Sequence, residues 1–430
     1  MNTQETVGRN DPEIIWEHPK KNKLRIMPIS DSPWAPTGFG TNTKNIGCIL
    51  HNEGHHIGYA GCQNPSHGKW WTPWPLGQTE KESYFELLPL MFQGEEKFGE
   101  KSFPHWLKNF KPDLILGHLD FQMFKYITDK KSPTHVQMPL YNDKGKVLNR
   151  NERVKLVNKA YNNLSKGQPW KLGIIIPFDG EPSIPSWQQQ LDNIDYPVAM
   201  SRYGQQGLLK DFNTETTYIP HGVDINLFRP ILNPQYTQVD KMGNRKDVTK
   251  PNAFVVGCVA RNQHRKNLPR LIKGFAQFVK KNKLGPDEAK LLLHTDWEDY
   301  MGWKFPEFAA QYNVEKHLMA PTMHRLDLGE ALSEEGMANL YNFMDVFVLP
   351  TAGEGFGIPT LEAMSCGIPI CVTNYTTGWE LVRSKDPEHE DIPMYPLGGS
   401  HNDPTPNGRD YLEPEDYCER GILLPYKDMW

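Results

Sequence analysis

The chain has 430 residues, 38% of them hydrophobic, and a formal net charge of −5. That length exceeds what one hydrophobic core usually organises, so two domains are expected. No apolar run approaches the ~20 residues of a spanning helix, the polar start MNTQETVGRNDPE lacks the layout of a secretory signal, and the negative balance argues against general nucleic-acid binding.

In the first half, strands are predicted at LRIMPIS (24–30), HHIGYAG (55–61), DLILGH (113–118), THVQMPL (134–140), KLGIIIP (171–177) and YPVAMS (196–201). After the first of these, SDSPWAPTGFGTNTKNIGCIL places Gly38 and Gly40 ahead of a helix, either as a plain tight turn or as a close approach to a ligand. The loop HGKWWTPWPLG (67–77) carries Trp70, Trp71 and Trp74. Packing of an irregular loop explains such rings, as would stacking on a sugar or base or contact with a membrane interface. His118 closes the strand DLILGH, with Asp120 just beyond it and Asp179 in PFDGEP. The carboxyl ends of parallel strands are where ligands bind, so all three are site candidates, although a lone His after a strand is also commonly just hydrogen-bonded.

The segment YIPHGVDINLFRP (218–230) closes the first half, and the polar stretch 231–250 reads as a loop or linker. The division expected is residues 1–228 and 229–430, with the linker or insertion at 231–250. In the second half, strands are predicted at AFVVGCVA (253–260), KLLLHTD (290–296), DVFVLP (345–350) and IPICVT (368–373). After Asn267, the residues Leu268, Leu271, Ile272, Phe275, Phe278 and Val279 fall on one helical face, a stripe that reads as core. Strands buried on both faces and separated by helices predict an α/β architecture of two Rossmann-like domains with parallel sheets. Residues 241–283 are rich in Lys and Arg, suiting either a phosphate-bearing ligand or a solvated helix face, and the acidic segment 383–417 reads as a long surface loop. The six cysteines at 48, 62, 258, 366, 371 and 418 show no CxxC spacing, so buried free thiols in a cytosolic protein are expected.

The most informative stretch is DVFVLPTAGEGFGIPTLEAMSCGIPICVT (345–373). A buried strand ends at Pro350, a glycine-flanked loop follows, and a helix starts near Pro359 and stops at Gly367. Gly355 and Gly357 let main-chain amides approach a ligand, and a helix N-terminus at a strand's carboxyl end favours a phosphate. Glu354 and Glu362 beside it can accept hydrogen bonds from sugar and ribose hydroxyls.

Glu354-x7-Glu362 within GEGFGIPTLEAMSCGIPI resembles the hallmark of retaining GT-B glycosyltransferases, especially glycosyltransferase family 4. The resemblance implies that Glu354 holds sugar hydroxyls, that the amides of Phe356 and Gly357 hold the sugar or diphosphate, and that Glu362 holds the ribose. In VGCVARNQHRKNLPRLI (256–272), Arg261 and Lys266 stand at the family's spacing for two cations on the leaving diphosphate, with His264 and Arg265 as neighbours. IPHGVD resembles the segment leading into the family's interdomain linker, with His221 where Asn is common. By the same resemblance Gly40 lies near the donor diphosphate and His118 touches the donor sugar.

The implied reaction is a retaining, front-face transfer from a nucleotide-diphosphate sugar to an acceptor hydroxyl on a saccharide, a lipid or modified DNA. It needs no metal, since DWED (296–299) lacks DxD spacing, and no cofactor. A glycosyltransferase acting on hydroxylated viral DNA bases and a non-catalytic nucleotide-sugar binder stand as alternatives. Family members continue through helices that cross back to the first domain, so a chain stopping at Trp430 is expected to be either a shortened member or a sequence that ends ahead of those helices.

Overall fold

The computed structural model describes residues 23–62 apart from 34 and 36, together with 71–73, 84–90, 99, 103–128, 170–239, 245–297, 299, 302–319, 332–383, 417–418 and 421–424. The predicted strand at 134–140, Trp70, Trp74, the acidic segment 384–416 and residues 320–331 lie outside them.

The first sheet contains β1 (Arg25–Asp31), β2 (His56–Cys62), β3 (Trp71–Pro73), β4 (Tyr84–Pro89), β5 (Leu114–Gly117), β6 (Lys171–Ile176), β7 (Tyr196–Ala199) and β8 (Thr217–Tyr218). Their order is β3-β4-β2-β1-β5-β6-β7-β8, and every pair is parallel except β3 with β4. Its helices are α1 (Gly38–Asn52), α2 (Phe103–Phe110), α3 (Lys125–Thr128), α4 (Trp187–Leu191) and α5 (Arg202–Phe212). β1 is buried along its whole length, as a central parallel strand covered on both faces must be. The core beneath the sheet is aromatic, with Phe110, Phe121, Phe124, Phe178 and Trp187 packed together.

The chain then forms a hairpin of β9 (Gln235–Val239) and β10 (Arg245–Thr249). The stretch 231–250 was expected as a loop, and the structure corrects this to an antiparallel pair. Tyr236 sits opposite Val248 and is buried against Phe343, with ring centroids 5.0 Å apart, so tertiary packing gives these polar residues a strand's environment.

The second sheet contains β11 (Phe254–Val259), β12 (Ala289–His294), β13 (Leu318–Met319), β14 (Val346–Leu349), β15 (Ile370–Thr373), β16 (Tyr417–Cys418) and β17 (Gly421–Leu424), in the order β13-β12-β11-β14-β15-β17-β16. All its pairs are parallel except β16 with β17. Its helices are α6 (Leu268–Asn282), α7 (Phe305–Tyr312), α8 (Glu334–Tyr341), α9 (Ile358–Ser365) and α10 (Thr377–Arg383). The predicted stripe of α6 is buried except at Phe278, which is half-buried and packs against Phe254 at the start of β11.

Strand order reverses between β1 and β5 in one sheet and between β11 and β14 in the other, and the crevice beyond such a switch point is where α/β proteins bind ligands. Among the contacts that join the two halves there are three polar ones. The Lys44 ammonium on α1 pairs with Glu334 on α8 at 2.7 Å. The Tyr375 hydroxyl accepts from the Glu181 amide at 3.0 Å. Glu380 on α10 accepts from the Arg202 and Tyr203 amides at 2.9 and 3.2 Å, so a carboxylate of one half caps the N-terminus of α5 in the other. Among the described residues, no helix is long and apolar enough to cross a membrane, and Cys48, Cys62, Cys258, Cys366 and Cys371 are free thiols.

Candidate functional site

The basic loop after β11 is held from below by Asn262, which is buried and donates to the carbonyls of Asp296 and Trp303 at 3.0 and 3.1 Å. The Trp303 amide returns a bond to Asn262 Oδ1 at 2.8 Å. The loop closes in a single turn, His264–Lys266, and Asn267 takes a left-handed conformation before α6 begins. Lys266 is thereby turned inward and is buried, while Arg261 stays exposed.

The second loop leaves β14 alongside the first, because the two strands pair. The Ala352 amide donates to the Arg265 carbonyl at 2.6 Å, and Arg265 Nη1 donates to the Gly353 carbonyl at 2.5 Å. This brings Glu354 onto Lys266, whose ammonium forms a buried ion pair with its carboxylate. Arg265 stands 3.7 Å from Glu354 Oε2 and 3.8 Å from Asp179 Oδ2 of the first sheet's half. Burial works to raise the Glu354 carboxyl, but Lys266 and Arg265 outweigh it and hold it below its ordinary range, so it is ionised. The Glu354 amide is fixed by Thr376 Oγ1 at 3.0 Å.

Gly357, with φ of 93°, caps α9, and Pro359 lies in its first turn. Gly355 passes beneath Pro177, and Phe356 is buried among Ile175, Val198 and Met200 of the other half. Glu362 lies further along α9, where Tyr341 donates to it at 2.6 Å. Burial pushes its carboxyl up to about 7, with Glu334 adding to the rise. Of the predicted residues, the structure therefore joins Glu354 to Lys266 and places Glu362 in a separate group with Tyr341 and Glu334.

On the opposite wall, His118 is buried at the end of β5, with its Nδ1 2.8 Å from the Thr43 hydroxyl. Burial chiefly, helped by His221, keeps the imidazole well below its ordinary pKa and neutral. Its ring stands between Phe39, edge-on at 5.0 Å, and His221 at 4.9 Å; His221 in turn meets Phe356 at 5.0 Å. Gly40 lies inside the first turn of α1 rather than ahead of it. Its amide donates to the Thr37 cap at 3.1 Å, and a Cβ there would meet the Ser32 carbonyl at 2.7 Å. Asp31 and Asp120 are both raised, first by burial, and both feel Arg261 from across the crevice.

Sequence reasoning missed His221, which the fold places between His118 and Phe356, and gave Arg265 only as a neighbour. The signals were present in the His of IPHGVD and in the run HRK, but neither shows direction until two loops are laid side by side. Among the described residues, no group of three or more His, Cys, Asp or Glu side chains could hold a metal ion.

Residues 253–391 match the family described as glycosyl transferases group 1. A UDP-Gal:alpha-D-GlcNAc-diphosphoundecaprenol alpha-1,3-galactosyltransferase from Escherichia coli is 30% identical over 39% of this chain and 38% of its own length. The chain thus spans well under half of that relative. Sucrose-phosphate synthase from Thermosynechococcus elongatus superposes with a TM-score of 0.55 at 17% identity, covering 84% of each chain. Anabaena HepE, crystallised with UDP-glucose, superposes with a TM-score of 0.50 at 14% identity, over 84% of this chain and 83% of its own. Two sheets facing a common crevice and these structural likenesses together give the chain the GT-B fold, and residues 253–391 match the group 1 glycosyl transferases.

Proposed function

We propose that the chain is a retaining glycosyltransferase that moves a sugar from a nucleotide-diphosphate sugar to an acceptor hydroxyl. The observation that carries this reading is the buried ion pair of Lys266 and Glu354, with Arg265 beside it, at the switch point of the second sheet. A diphosphate entering there finds Arg261, Arg265 and Lys266 as counter-charges for its departure. Glu354, ionised and freed from Lys266 by that exchange, accepts from sugar hydroxyls. Glu362, on the helix that follows this loop, accepts from the ribose, and the amides of Gly355, Phe356 and Gly357 line the path between them.

The leaving diphosphate takes the acceptor's proton as the acceptor attacks from the same face, so the electrostatic grip on the leaving group carries much of the rate. The cations do the work that a metal does in other transferases. The match to glycosyl transferases group 1, and a relative named for a UDP-sugar donor and an alpha linkage, support this reading.

The test is a thermal-shift panel of UDP, GDP, ADP, CDP and TDP on the wild type, Arg261→Ala and Glu362→Ala. A nucleotide at a hundredfold excess over its Kd adds ~2.7 kcal/mol of stability. One stabilising nucleotide, lost in both variants, is expected; no shift with any of the five would remove the donor site.

A further inference from the structure

Tyr341 is wholly buried at the end of α8, its ring flanked by Phe228 and Phe347 with centroids 6.0 and 6.1 Å away. Its hydroxyl has one partner among the described residues, Glu362 Oε2 at 2.6 Å. That separation lies in the range of about 2.5–2.7 Å found where a hydroxyl donates to an ionised carboxylate. Burial chiefly holds the Tyr341 proton far above its ordinary pKa, so this hydroxyl is a permanent donor. Glu362 is only half-buried, and its Oε1, which takes no hydrogen bond among the described residues, stays open to solvent. Positive charge is missing around it. From α8 come Tyr341 and the Glu334 carboxylate, from the end of α9 comes Cys366, and from β11 comes Cys258 beside Tyr341. Burial pushes these two thiols up to about 11 and about 12, so neither carries charge. Lys44 of α1 meets Glu334 and not Glu362. Against burial and Glu334, the Tyr341 proton alone favours the ionised carboxylate.

We propose that Tyr341 is a positioning residue that keeps Glu362 a hydrogen-bond acceptor for the donor, by donating to Oε2 and leaving Oε1 open to a ribose hydroxyl. This rests on the function proposed above, in which Glu362 meets the ribose. Two consequences follow for what the site takes and when. A site built to accept from a hydroxyl rejects the analogue that lacks it, because its acceptor is then left unpaired. The substrate class is therefore a ribonucleotide sugar and not its 2′-deoxy counterpart. The ionised carboxylate offers lone pairs on both oxygens, whereas the protonated acid turns one of them into a donor. Affinity therefore rises as the pH climbs through about 7, where Glu362 titrates, and binding below that point releases a proton.

The hold of Tyr341 on Glu362 is read first on the free, full chain carrying 13C at its glutamate carboxyls, with the Glu362 signal assigned by its loss in Glu362→Gln. Tyr341→Phe should move that titration to higher pH, and an unmoved titration overturns the positioning role. Should Tyr341→Phe not fold, 3-fluorotyrosine at position 341, a stronger donor of nearly the same shape, should move it to lower pH, and no movement again overturns the role. Binding is then measured by calorimetry with the glucose esters of UDP, GDP, ADP and CDP, whose phosphates do not titrate near neutrality. The ester that binds should gain at least about threefold in affinity from pH 6 to pH 8, and its 2′-deoxy counterpart should bind about tenfold more weakly without that gain. Tyr341→Phe should bind at least about threefold more weakly at pH 7 and recover at pH 8.5, a recovery that a packing defect does not give. A loss equal at every pH, or equal affinity for the ribose and 2′-deoxy esters, overturns the proposal. The carboxyl titration needs no ligand, so failure of all four esters to bind would defeat the proposed function and leave the hold of Tyr341 on Glu362 standing.

Discussion

Lys266 and Glu354 lie 88 positions apart in the chain and form a buried ion pair between loops that follow two adjacent parallel strands. Each neutralises the other while the donor is absent. Removing one partner strands a buried charge, which typically costs ~3–5 kcal/mol, whereas replacing both with apolar groups of similar volume is often close to neutral. Lys266→Ala is therefore expected to melt well below the wild type, and the double variant Lys266→Met/Glu354→Leu to recover most of the loss. Both should lower turnover at least tenfold, about 1.4 kcal/mol or more in the barrier. Calorimetry and initial rates on the three proteins check this, and wild-type turnover in either variant would refute the site.

Gly353 marks how closely the halves approach. A Cβ on it would lie 2.0 Å from the Asp179 main-chain carbonyl, a group with no freedom to step aside. Gly353→Ala is expected to hold the crevice open, raising the radius of gyration in solution scattering and weakening nucleotide-sugar binding by tenfold or more. An unchanged radius together with unchanged affinity would show that the approach does not matter.

Glu362 gives a pH dependence with a definite sign. Its carboxyl is raised from 4.5 to about 7 in the folded chain. The folded state then binds a proton that the unfolded state has released, so this contribution is fully present below pH ~4.5 and is lost as the pH rises through ~7. Glu362→Gln should remove that part of the slope, measured as the difference in melting temperature between pH 5 and pH 8. The effect expected is on the order of 1–3 kcal/mol. Equal slopes for variant and wild type would refute the assignment.

The two charged contacts across the crevice should differ in worth. Lys44 with Glu334 is a surface pair, half-exposed on the Glu334 side, and such pairs contribute roughly 0–1 kcal/mol. Glu380 is buried and satisfies backbone amides that would otherwise go unpaired, so Glu380→Ala should cost about 1–2 kcal/mol. Urea denaturation of Glu380→Ala and Lys44→Ala, with and without added salt, separates them. Only the Lys44 effect should fade in salt.

Much of the fold was legible because its strands are central. LRIMPIS, KLGIIIP and AFVVGCVA are covered on both faces, so burial writes itself into every residue, and the stripe of α6 did the same at helical spacing. The hairpin of β9 and β10 was not legible, since its polar residues become strands only because Tyr236 finds Phe343. At the site, the resemblance pointed to Glu354, Glu362 and Lys266. It could not show that Lys266 turns inward, that Arg265 reaches Gly353 and Asp179, or that His221 stands between two other rings. Those are facts about neighbouring loops and opposed walls, which one-dimensional order does not carry.

The cap that Glu380 places on α5 also bears on how such chains can be recombined. Proteins of two similar halves invite grafting, with a new second half fused behind an old first half to change what is bound. Here Ser201 caps the Gly204 amide of α5 from within the first half at 3.0 Å, while the two amides ahead of it are closed by a carboxylate borrowed from the neighbour. A graft joined at the linker keeps that contribution only where the incoming half carries an acid at the position of Glu380 on α10, so one side chain far from the join bears on how well two halves fit.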